Sequence, residues 1–451
     1  MNNSLFKVIC CFLGIFFYSC TPKPSLEIAY FQVDVTPAIG SPVAYVPARS
    51  ITDSLDARGV VLLPKNQDAI VLCSVDWLLI SNRSMDEFKN YLAKAAGTTP
   101  DRVSIHTLHQ HDTPWCDASS EEILAQQNLG GIRFDLEFLE GRMKATAAAL
   151  TAALNDKRPV TAIGFGKANV EKVASNRRIL GEDGKVKIVR YSSSRDSAAI
   201  NAPEGVIDPE LKSVSFWHDD QALAVLNYYA THPQSYYGQG DVNPEFIGLA
   251  RNSVHKKLGV PQVFFIGAAG NVAAGKYNNG SPEMRPVLTQ RIADAMEKAF
   301  SATKTFQPTT PLQWRSEPLA LPLAPYLIED SLRTRIADTT LNFNDRFTIA
   351  RQLAWIERNK EGTPLAITAL QLGNIWLLHM PGEPFVEYQL KTQEFKGEDP
   401  VCTAAYGDGG PIYIGTSVAY QQGGYEVDPR VNMTTTEAEK PMLETIRKVI
   451  P

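Results

Sequence analysis

The sequence Leu-His-Gln-His-Asp-Thr-Pro at residues 108–114 places two histidines directly after a strand-like segment. That segment, Val-Ser-Ile-His-Thr at residues 103–107, has the two-residue period of a half-buried β-strand. Continuing the same period would place His109 and His111 on one side of the chain. Two imidazoles at the carboxyl end of a strand are typical of active sites in α/β proteins. The alternative is one packed and one exposed histidine.

Elsewhere in the chain, other apolar segments also end in polar side chains or in a glycine-rich turn. They are Asp76 after the segment 69–75, His232 after 222–229, the turn 267–271 after 263–266, and Glu383 after 375–379. A sheet edge that carries histidines and a carboxylate offers ligands that zinc prefers, and catalytic zinc sites keep one position open for water. The pattern indicates a candidate zinc site. Because the candidate ligands are scattered along the chain, a capping or surface carboxylate is the alternative for Glu383.

Strand-like and helix-like segments alternate along the chain, which predicts an α/β fold with mixed β-sheets flanked by helices. The clearest helix covers residues 136–154, where leucine, methionine and alanine recur at three- and four-residue steps. Another helix is predicted over 85–96 with Ser84 as its N-cap. Residues 303–340 have no steady period and are predicted to be a connection. Since no internal repeat or low-complexity linker divides residues 21–451, we expect a single domain.

Charge and cysteine content exclude two classes of function. The 451-residue chain carries a formal net charge of -5, which argues against a nucleic-acid partner. Beyond residue 20 the cysteines are Cys73, Cys116 and Cys402. An odd number does not form a disulfide scaffold, and none belongs to a Cys-x-x-Cys pair that would indicate a thiolate metal site.

Residues 1–20 resemble the signal segment of a bacterial lipoprotein. Lys7 precedes an apolar run at residues 8–18 that is too short to span a membrane. The run is followed by a small residue and then Cys20, and by this resemblance Cys20 would be lipidated and become the mature N-terminus. A plain secretory signal is the alternative. We therefore predict a lipid-anchored cell-envelope protein, on the periplasmic face or at the outer-membrane surface.

Short motifs in a consistent order resemble the catalytic domain of the neutral/alkaline non-lysosomal ceramidase family. They cover nearly the whole mature chain. The matching segments are VDVTP (33–37), DARGVVL (56–62), LHQH (108–111), NRR (176–178), DPE (208–210), ATHP (230–233), GAAGN (267–271), PGE (381–383) and 413–425 with GGYE (423–426). The resemblance implies a ceramidase-like zinc hydrolase fold. Because little sequence follows these motifs, we expect it to lack the additional C-terminal β domain of the ceramidases.

In that family a single zinc ion is held by two histidines, a glutamate and a tyrosine. The motifs carry these roles to His109 of His-x-His, His232 of Thr-His-Pro and Glu383 of Pro-Gly-Glu. The tyrosine matches Tyr413 best, with Tyr406 as the alternative. The resemblance therefore implies Zn2+ as the cofactor.

Three further residues are predicted to take part in catalysis. His111 is the candidate for moving a proton or stabilising an oxyanion, with a structural imidazole as the alternative. Arg177, together with Arg178 of the same Asn-Arg-Arg motif, would bind a polar or anionic substrate group, unless the two form internal salt bridges. Asn271, the third of these residues, belongs to the glycine-rich turn.

Asp241 is a candidate for a supporting role. It would either orient a ligand imidazole or cap the following helix.

One position departs from the family pattern. The ceramidases have a serine, thought essential, after a Gly-Asn-hydrophobic start, whereas here Gly270-Asn271-Val272 is followed by Ala273. The hydroxyl is missing, so the resemblance extends to the metal ligands and leaves the substrate open.

The leading hypothesis from the sequence is an exported zinc-dependent hydrolase that attacks an amide or ester bond with metal-activated water. Its substrate would be a small molecule or a lipid- or sugar-derived compound, and the membrane would be contacted through Cys20. One alternative is a metal-assisted glycan-degrading enzyme on the same scaffold. The other is a non-catalytic lipoprotein that binds a ligand.

Overall fold

Three β-sheets form the framework of the chain in the computed structural model, which describes residues 25–308 and 312–451. The strands are, in chain order, β1 (Leu26–Asp34), β2 (Ser50–Ile51), β3 (Asp56–Pro64), β4 (Ile70–Val75), β5 (Leu79–Ile80), β6 (Val103–Thr107), β7 (Trp115–Cys116), β8 (Arg158–Pro159), β9 (Ala162–Asn169), β10 (Ser175–Asn176), β11 (Arg178–Leu180), β12 (Val186–Val189), β13 (Glu210–His218), β14 (Gln221–Tyr229), β15 (Asp241–Val242), β16 (Gln262–Ile266), β17 (Val272–Ala273), β18 (Lys304–Phe306), β19 (Gln313–Leu319), β20 (Leu365–Leu372), β21 (Ile375–His379), β22 (Glu383–Pro384), β23 (Val401–Ala404) and β24 (Tyr413–Ile414). The helices are α1 (Arg83–Ala96), α2 (Ala118–Ala125), α3 (Leu136–Ala153), α4 (Ser197–Asn201), α5 (Glu245–Leu258), α6 (Met284–Ser301), α7 (Glu329–Ile336), α8 (Phe343–Lys360), α9 (Val386–Lys396), α10 (Ser417–Gln422) and α11 (Glu439–Val449).

Each of the three larger sheets mixes parallel and antiparallel strands, as predicted. Their strand orders are β6-β4-β3-β1-β8, β16-β14-β13-β9-β18 and β19-β20-β21-β23. Each contains one parallel pair: β4 with β6, β14 with β16, and β21 with β23. Helices α1 and α3 pack on the first sheet, α5 and α6 on the second, and α11 on the third. The predicted α/β class with helix-flanked mixed sheets is therefore confirmed.

A shared apolar core holds the three sheets together. One buried cluster takes Val60 and Leu72 from the first sheet, Leu226 and Phe265 from the second, and Leu377 from the third. Fully burying a side chain of this size contributes about 1.5–3 kcal/mol. The faces of the three sheets therefore stabilise one another.

Hydrogen bonds between the sheets bring the ends of their parallel pairs together. The amide of Thr107, at the end of β6, donates to the carbonyl of Tyr406 at 3.0 Å. The amide of Ala405, just after β23, donates to the carbonyl of Ile266 at the end of β16 at 2.8 Å. The loops that leave these strands therefore meet at one place between the sheets.

The strand that precedes the two histidines is shorter and more buried than its period predicts. All five residues of β6 are buried, and it ends at Thr107. The polar side chains Ser104 and His106 are accommodated because they hydrogen-bond to each other at 2.7 Å. His109 has a φ of 63°, so the two-residue period does not continue. The prediction that His109 and His111 share a strand face is wrong, and a turn brings their rings together instead.

Two local predictions are also corrected. Helix α1 begins at Arg83 with Asn82 at the N-cap position, whereas Ser84 accepts a hydrogen bond from the amide of Ala118 at 2.9 Å. Residues 303–340, predicted as a connection, contain β18, β19 and α7. Strand β19 forms because it pairs along the whole of β20, a long-range contact that local periodicity does not report.

The predicted signal segment 1–20, with Cys20, lies outside the described residues. Among the helices that are described, none has the length and apolar character needed to cross a bilayer.

Candidate metal centre

Three candidate ligands lie together, each supplied by the loop that leaves a different large sheet. His109 follows β6, His232 follows β14, and Glu383 follows β21. The Nε2 atoms of His109 and His232 lie 3.5 Å and 3.3 Å from Oε2 of Glu383. One ligand atom from each residue lies within 4.8 Å of the other two, and all three side chains are buried. The structure therefore brings together the three residues that the motifs identify.

The protonation of this cluster suits a metal ion. Burial lowers the pKa of His109 to about 4 and that of His232 to about 3, so both imidazoles are neutral at pH 7. Their Nδ1 atoms lie 3.0 Å and 2.8 Å from the carbonyl oxygens of Leu78 and Ala269. Because a carbonyl can only accept, Nδ1 carries the proton in each ring and the lone pair of Nε2 is free to bind a metal.

Two atoms of the cluster are buried without a hydrogen bond. Within the described residues, Nε2 of His232 and Oε2 of Glu383 have no hydrogen-bond partner. Leaving such atoms unpaired is costly, and each one in a folded protein needs an explanation. A cation shared by the two histidines and the glutamate would satisfy them, so the residues present fit a zinc ion.

Backbone strain is concentrated beside the cluster. His109 and Tyr406 adopt φ values of 63° and 60°, in the left-handed region that favours glycine. Each is held there by a hydrogen bond from its own amide, to Trp77 at 3.0 Å and to Gly382 at 2.9 Å. The ring centroids of these two residues lie 4.5 Å apart. Such conformations cost about 1–3 kcal/mol each and cluster at functional sites.

The two candidate tyrosines lie on different sides of the histidines. The hydroxyl of Tyr406 lies 3.4 Å from Nδ1 of His232, the nitrogen that faces backbone carbonyls. The hydroxyl of Tyr413 accepts a hydrogen bond from Nη1 of Arg177 at 3.1 Å and helps to lower the pKa of Glu383, which burial raises. The geometry therefore favours Tyr413 over Tyr406 as a neighbour of the free ligand atoms.

The two arginines of the Asn-Arg-Arg motif divide between the site and the scaffold. Both pair with the buried Glu426, Arg177 at 3.3 Å and Arg178 at 2.8 Å. Arg178 also donates to the carbonyl of Gly423 at 2.7 Å and so secures the segment after α10. Arg177 also donates a hydrogen bond to the hydroxyl of Tyr413. Its guanidinium carbon lies 5.6 Å, 5.7 Å and 5.2 Å from the ring centroids of Tyr191, Tyr413 and Tyr425. Both arginines therefore form the internal salt bridge that was the alternative to substrate binding, and Arg177 also contacts Tyr413 beside the cluster.

His111 lies at the outer edge of the cluster. Its ring centroid is 5.1 Å from that of His109, with the ring planes at 90°. Nδ1 is hydrogen-bonded to the hydroxyl of Tyr45. Nε2 is buried and has no hydrogen-bond partner among the described residues. If Tyr45 donates to Nδ1, Nε2 carries the proton and can donate it.

The polar groups of Asn271 bond to the start of α9 and to the backbone of Arg177. Its side-chain oxygen accepts from the amide of Val386 at 2.9 Å, and its Nδ2 donates to Glu387 at 2.9 Å. Its own carbonyl accepts from the amide of Arg177 at 2.8 Å. These contacts join the glycine-rich turn to the start of α9 and to Arg177, so the side chain of Asn271 is directed to the scaffold.

Two other acidic residues are not brought to the cluster. Asp76 follows β4 as predicted, but Arg251 binds both of its oxygens at 2.6 Å and 2.8 Å. Asp241 accepts from Arg49 at 2.8 Å and from Ser50 at 2.6 Å. Both roles predicted for Asp241 are wrong. Backbone carbonyls orient His232, and the side chain of Asn243 accepts from the amide of Glu245 at 2.9 Å at the start of α5.

Four tyrosines near the cluster were not among the predicted site residues. Tyr45 and Tyr237 lie beside His111, with ring centroids 5.5 Å and 4.9 Å from it. Tyr191 and Tyr425 lie near Arg177, which is 5.6 Å and 5.2 Å from their ring centroids. Only Tyr425 was signalled, because it belongs to the Gly-Gly-Tyr-Glu motif. The others lie in irregular loops where no period or spacing marks them.

Comparison with known proteins extends the description of the fold. No protein-family model and no curated protein sequence matches the chain. The solved structures that are similar to it include two of ceramidases. A neutral ceramidase from Pseudomonas aeruginosa is 17% identical, with a TM-score of 0.68 over 95% of this chain and 74% of that chain. A ceramidase complexed with C2 is 16% identical, with a TM-score of 0.68 over 94% of this chain and 74% of that chain. This chain therefore has a ceramidase-like fold.

Proposed function

We propose that this protein is an exported zinc-dependent hydrolase that attacks an amide or ester bond with water. One observation carries the proposal. Nε2 of His232 and Oε2 of Glu383 are buried and unpaired within the described residues, and they lie 3.3 Å apart beside His109. The fold similarity to a neutral ceramidase supports a hydrolase. When bound, zinc supplies a Lewis acid for the attacked carbonyl and lowers the pKa of water toward about 7.

The ligand roles follow from the contacts. His109 and His232 would bind the metal through Nε2, since their Nδ1 atoms donate to backbone carbonyls. Glu383 would bind through Oε2. Tyr413 is the proposed fourth ligand because its hydroxyl lies beside Glu383 and Arg177. The Arg177 guanidinium would stabilise negative charge on the tyrosine oxygen, and it keeps that oxygen in place through a 3.1 Å hydrogen bond.

His111 is the proposed proton carrier. Its Nδ1 is held by the Tyr45 hydroxyl and its Nε2 lacks a partner within the described structure. The N–H at Nε2 can donate a hydrogen bond to negative charge that develops on the carbonyl oxygen. When the acyl bond breaks, the Nε2 proton can pass to the leaving nitrogen or oxygen while Nδ1 takes the proton of the Tyr45 hydroxyl, so that the ring stays neutral. Asn271 would act as a positioning residue, because it ties the backbone of Arg177 to α9.

A substrate screen tests this function. In a panel of N-acyl, ester and glycoside substrates, we expect the zinc-loaded protein to hydrolyse at least one N-acyl or ester compound. Chelation should abolish that turnover and added zinc should restore it. Ala273→Ser should not create strong ceramidase activity, because Ala273 is fully buried and its strand β17 is paired with β10.

Other outcomes of the screen would contradict the proposal. Bound zinc without turnover across the panel would favour a ligand-binding lipoprotein. Turnover of glycosides alone would favour a metal-assisted glycan-degrading enzyme.

The cell-envelope location is a separate proposal. We propose that residues 21–451 form one catalytic domain anchored through a lipid on Cys20. Cys20→Ser is expected to move the protein from the membrane fraction to the soluble fraction, because the lipid would be its attachment. Fractionation followed by immunoblotting measures this, with the buried Cys402→Ser as the matched control. Unchanged partitioning of the Cys20 variant would exclude the lipid anchor.

A further inference from the structure

Three tyrosines beside the cluster are unusually exposed for large aromatic side chains. Tyr45 and Tyr191 each retain 47% of their surface, and Tyr237 retains 37%. Tyr45 and Tyr237 contact each other, with ring centroids 5.5 Å apart, and both contact His111. Tyr191 lies on the other side, against Arg177. Exposed aromatic rings grouped beside buried polar residues are typical of ligand-binding surfaces.

The two sides surround the same cluster. A row of neighbouring rings connects the two sides. The ring centroids are 5.1 Å apart for His111 and His109, 4.9 Å apart for His109 and His232, and 6.3 Å apart for His232 and Tyr413. Arg177 then lies 5.7 Å from the ring of Tyr413, which completes the path to Tyr191. Burial raises the pKa of Tyr237, while the Arg177 guanidinium lowers it and the Tyr191 hydroxyl raises it. The exposed tyrosines therefore lie at the two ends of one row of neighbouring side chains that includes the buried ligands.

A buried carboxylate fixes the loop that carries Tyr237. Both oxygens of Asp112 accept from the amide of Gly238 at 3.0 Å, and one also accepts from Gly240 at 3.1 Å. Asp112 keeps only 5% of its surface exposed. Burying a carboxylate is costly unless it is fully hydrogen-bonded. The loop that presents an exposed ring is therefore held in one conformation.

Buried arginines fix the loops of the other two tyrosines in the same way. Arg133 donates to the carbonyl of Ala44, next to Tyr45. Arg190, next to Tyr191, keeps 1% of its surface exposed and donates to the carbonyl of Asn176 at 2.8 Å and to further carbonyls in the segment 199–204. Charged side chains that hold irregular loops reduce the entropy lost when a ligand binds to those loops. The tyrosines form a preorganised surface.

The chemistry of this surface suits a sugar ring better than an acyl chain. A long acyl chain favours aliphatic walls that are closed to water, whereas these rings are exposed and carry hydroxyl groups. A pyranose has an apolar C–H face that stacks on an aromatic ring and a hydroxyl edge that accepts and donates hydrogen bonds. A nucleobase would also stack, but the net charge of -5 disfavours a polyanionic partner.

We infer that Tyr45, Tyr191 and Tyr237 bind a saccharide ring, so that the hydrolysed bond belongs to an acylated sugar. This inference rests on the proposed function for the reaction, although the binding surface stands on its own contacts. Hydrolysis would add the hydroxyl of water to the acyl carbon and break its bond to the sugar nitrogen or oxygen. That nitrogen or oxygen would take the proton, and a carboxylic acid and a free amino or hydroxyl sugar would leave.

Direct binding tests the inference without turnover. The probes are a panel of N-acetylated and O-acetylated methyl hexosides, with N-acetylethanolamine as the ring-free amide and N-dodecanoylethanolamine as the long-chain amide. Titration calorimetry is performed on the full-length zinc-loaded protein and on Glu383→Gln. We expect at least one hexoside to bind and N-acetylethanolamine not to bind.

Variants of Tyr191, which is as exposed as Tyr45 but lies against Arg177 rather than His111, then identify the contact. Tyr191→Ala is expected to weaken the Kd of the bound hexoside about 3- to 10-fold, and Tyr191→Phe should retain most of the affinity because the ring remains. Phe395→Ala replaces another exposed aromatic, near the end of α9; it is the control and should change nothing. In the active protein, the loss should appear in KM more than in kcat.

Three results would overturn the inference. They are no binding by any hexoside, hexoside binding that Tyr191→Ala leaves unchanged, and tighter binding of N-dodecanoylethanolamine that depends on Tyr191. The proposed hydrolase would survive all three if the substrate screen detects zinc-dependent turnover. Conversely, hexoside binding without any turnover would contradict the hydrolase and leave the saccharide surface standing.

Discussion

His232→Ala is expected to reduce the zinc content of the purified protein from about one ion per chain to a trace. Nε2 of His232 lies 3.3 Å from Oε2 of Glu383, and its lone pair is free because Nδ1 faces the carbonyl of Ala269. Alanine removes one of the three clustered ligands. Activity on any substrate found in the screen should disappear with the metal.

Elemental analysis of the dialysed protein measures this loss. His106→Ala is the matched control, because His106 is also buried but bonds to Ser104 and to the carbonyl of Ala405 outside the cluster. Both variants should be compared at equal folded fraction by circular dichroism. Equal zinc content in wild type and His232→Ala would remove His232 from the site. In a zinc-bound crystal structure, the metal–nitrogen distances should be about 2.0–2.1 Å.

His111→Ala is expected to retain zinc and to lower hydrolysis by about 10²- to 10⁴-fold, the usual contribution of a general acid or base. The ring of His111 lies next to His109 but is not among the three clustered ligands. The variant therefore separates metal binding from proton transfer. Measurements of kcat with saturating substrate, together with zinc content, provide the two readouts.

Two further variants make this result interpretable. Tyr45→Phe keeps the stacked ring but removes the hydroxyl that bonds to Nδ1 of His111, so it should lower kcat by less than the loss of the imidazole. His218→Ala replaces a half-buried histidine on β13 and should leave activity unchanged. Full activity in His111→Ala would discard its catalytic role. Loss of zinc in that variant would instead mean that His111 helps to hold the metal.

Residue types at strand ends predicted much of the candidate site. Apolar runs locate strands because burying them is favourable in any fold, and the polar residue that ends such a run is placed at a sheet edge. His109, His232 and Glu383 were identified in this way and by their motifs, and they lie together. The same reasoning placed Asp76 at a strand end, where its carboxylate is used by Arg251 instead. A position at a strand end is therefore not sufficient to identify such a ligand.

The tyrosine surface could not be predicted in the same way. Tyr45, Tyr191 and Tyr237 lie far apart in sequence and in loops without a period. Their positions depend on Asp112, Arg133 and Arg190, each of which holds a loop through backbone atoms. Sequence patterns report which side chains are buried, but not which backbone carbonyl or amide a buried charge will bind.

Local sequence was sufficient for the α/β class, for helices such as Leu136–Ala153, and for the chemical nature of the candidate ligands, because propensity and hydrophobic period act over a few residues. The distances within the cluster depend on hydrogen bonds and packing between three separate sheets. The left-handed backbone of His109 is one result, since it is held by Trp77 and Leu78 from a different loop. Strand β19, stabilised by its pairing with β20, is another. Both arise from contacts between residues distant in the chain, which a local pattern does not contain.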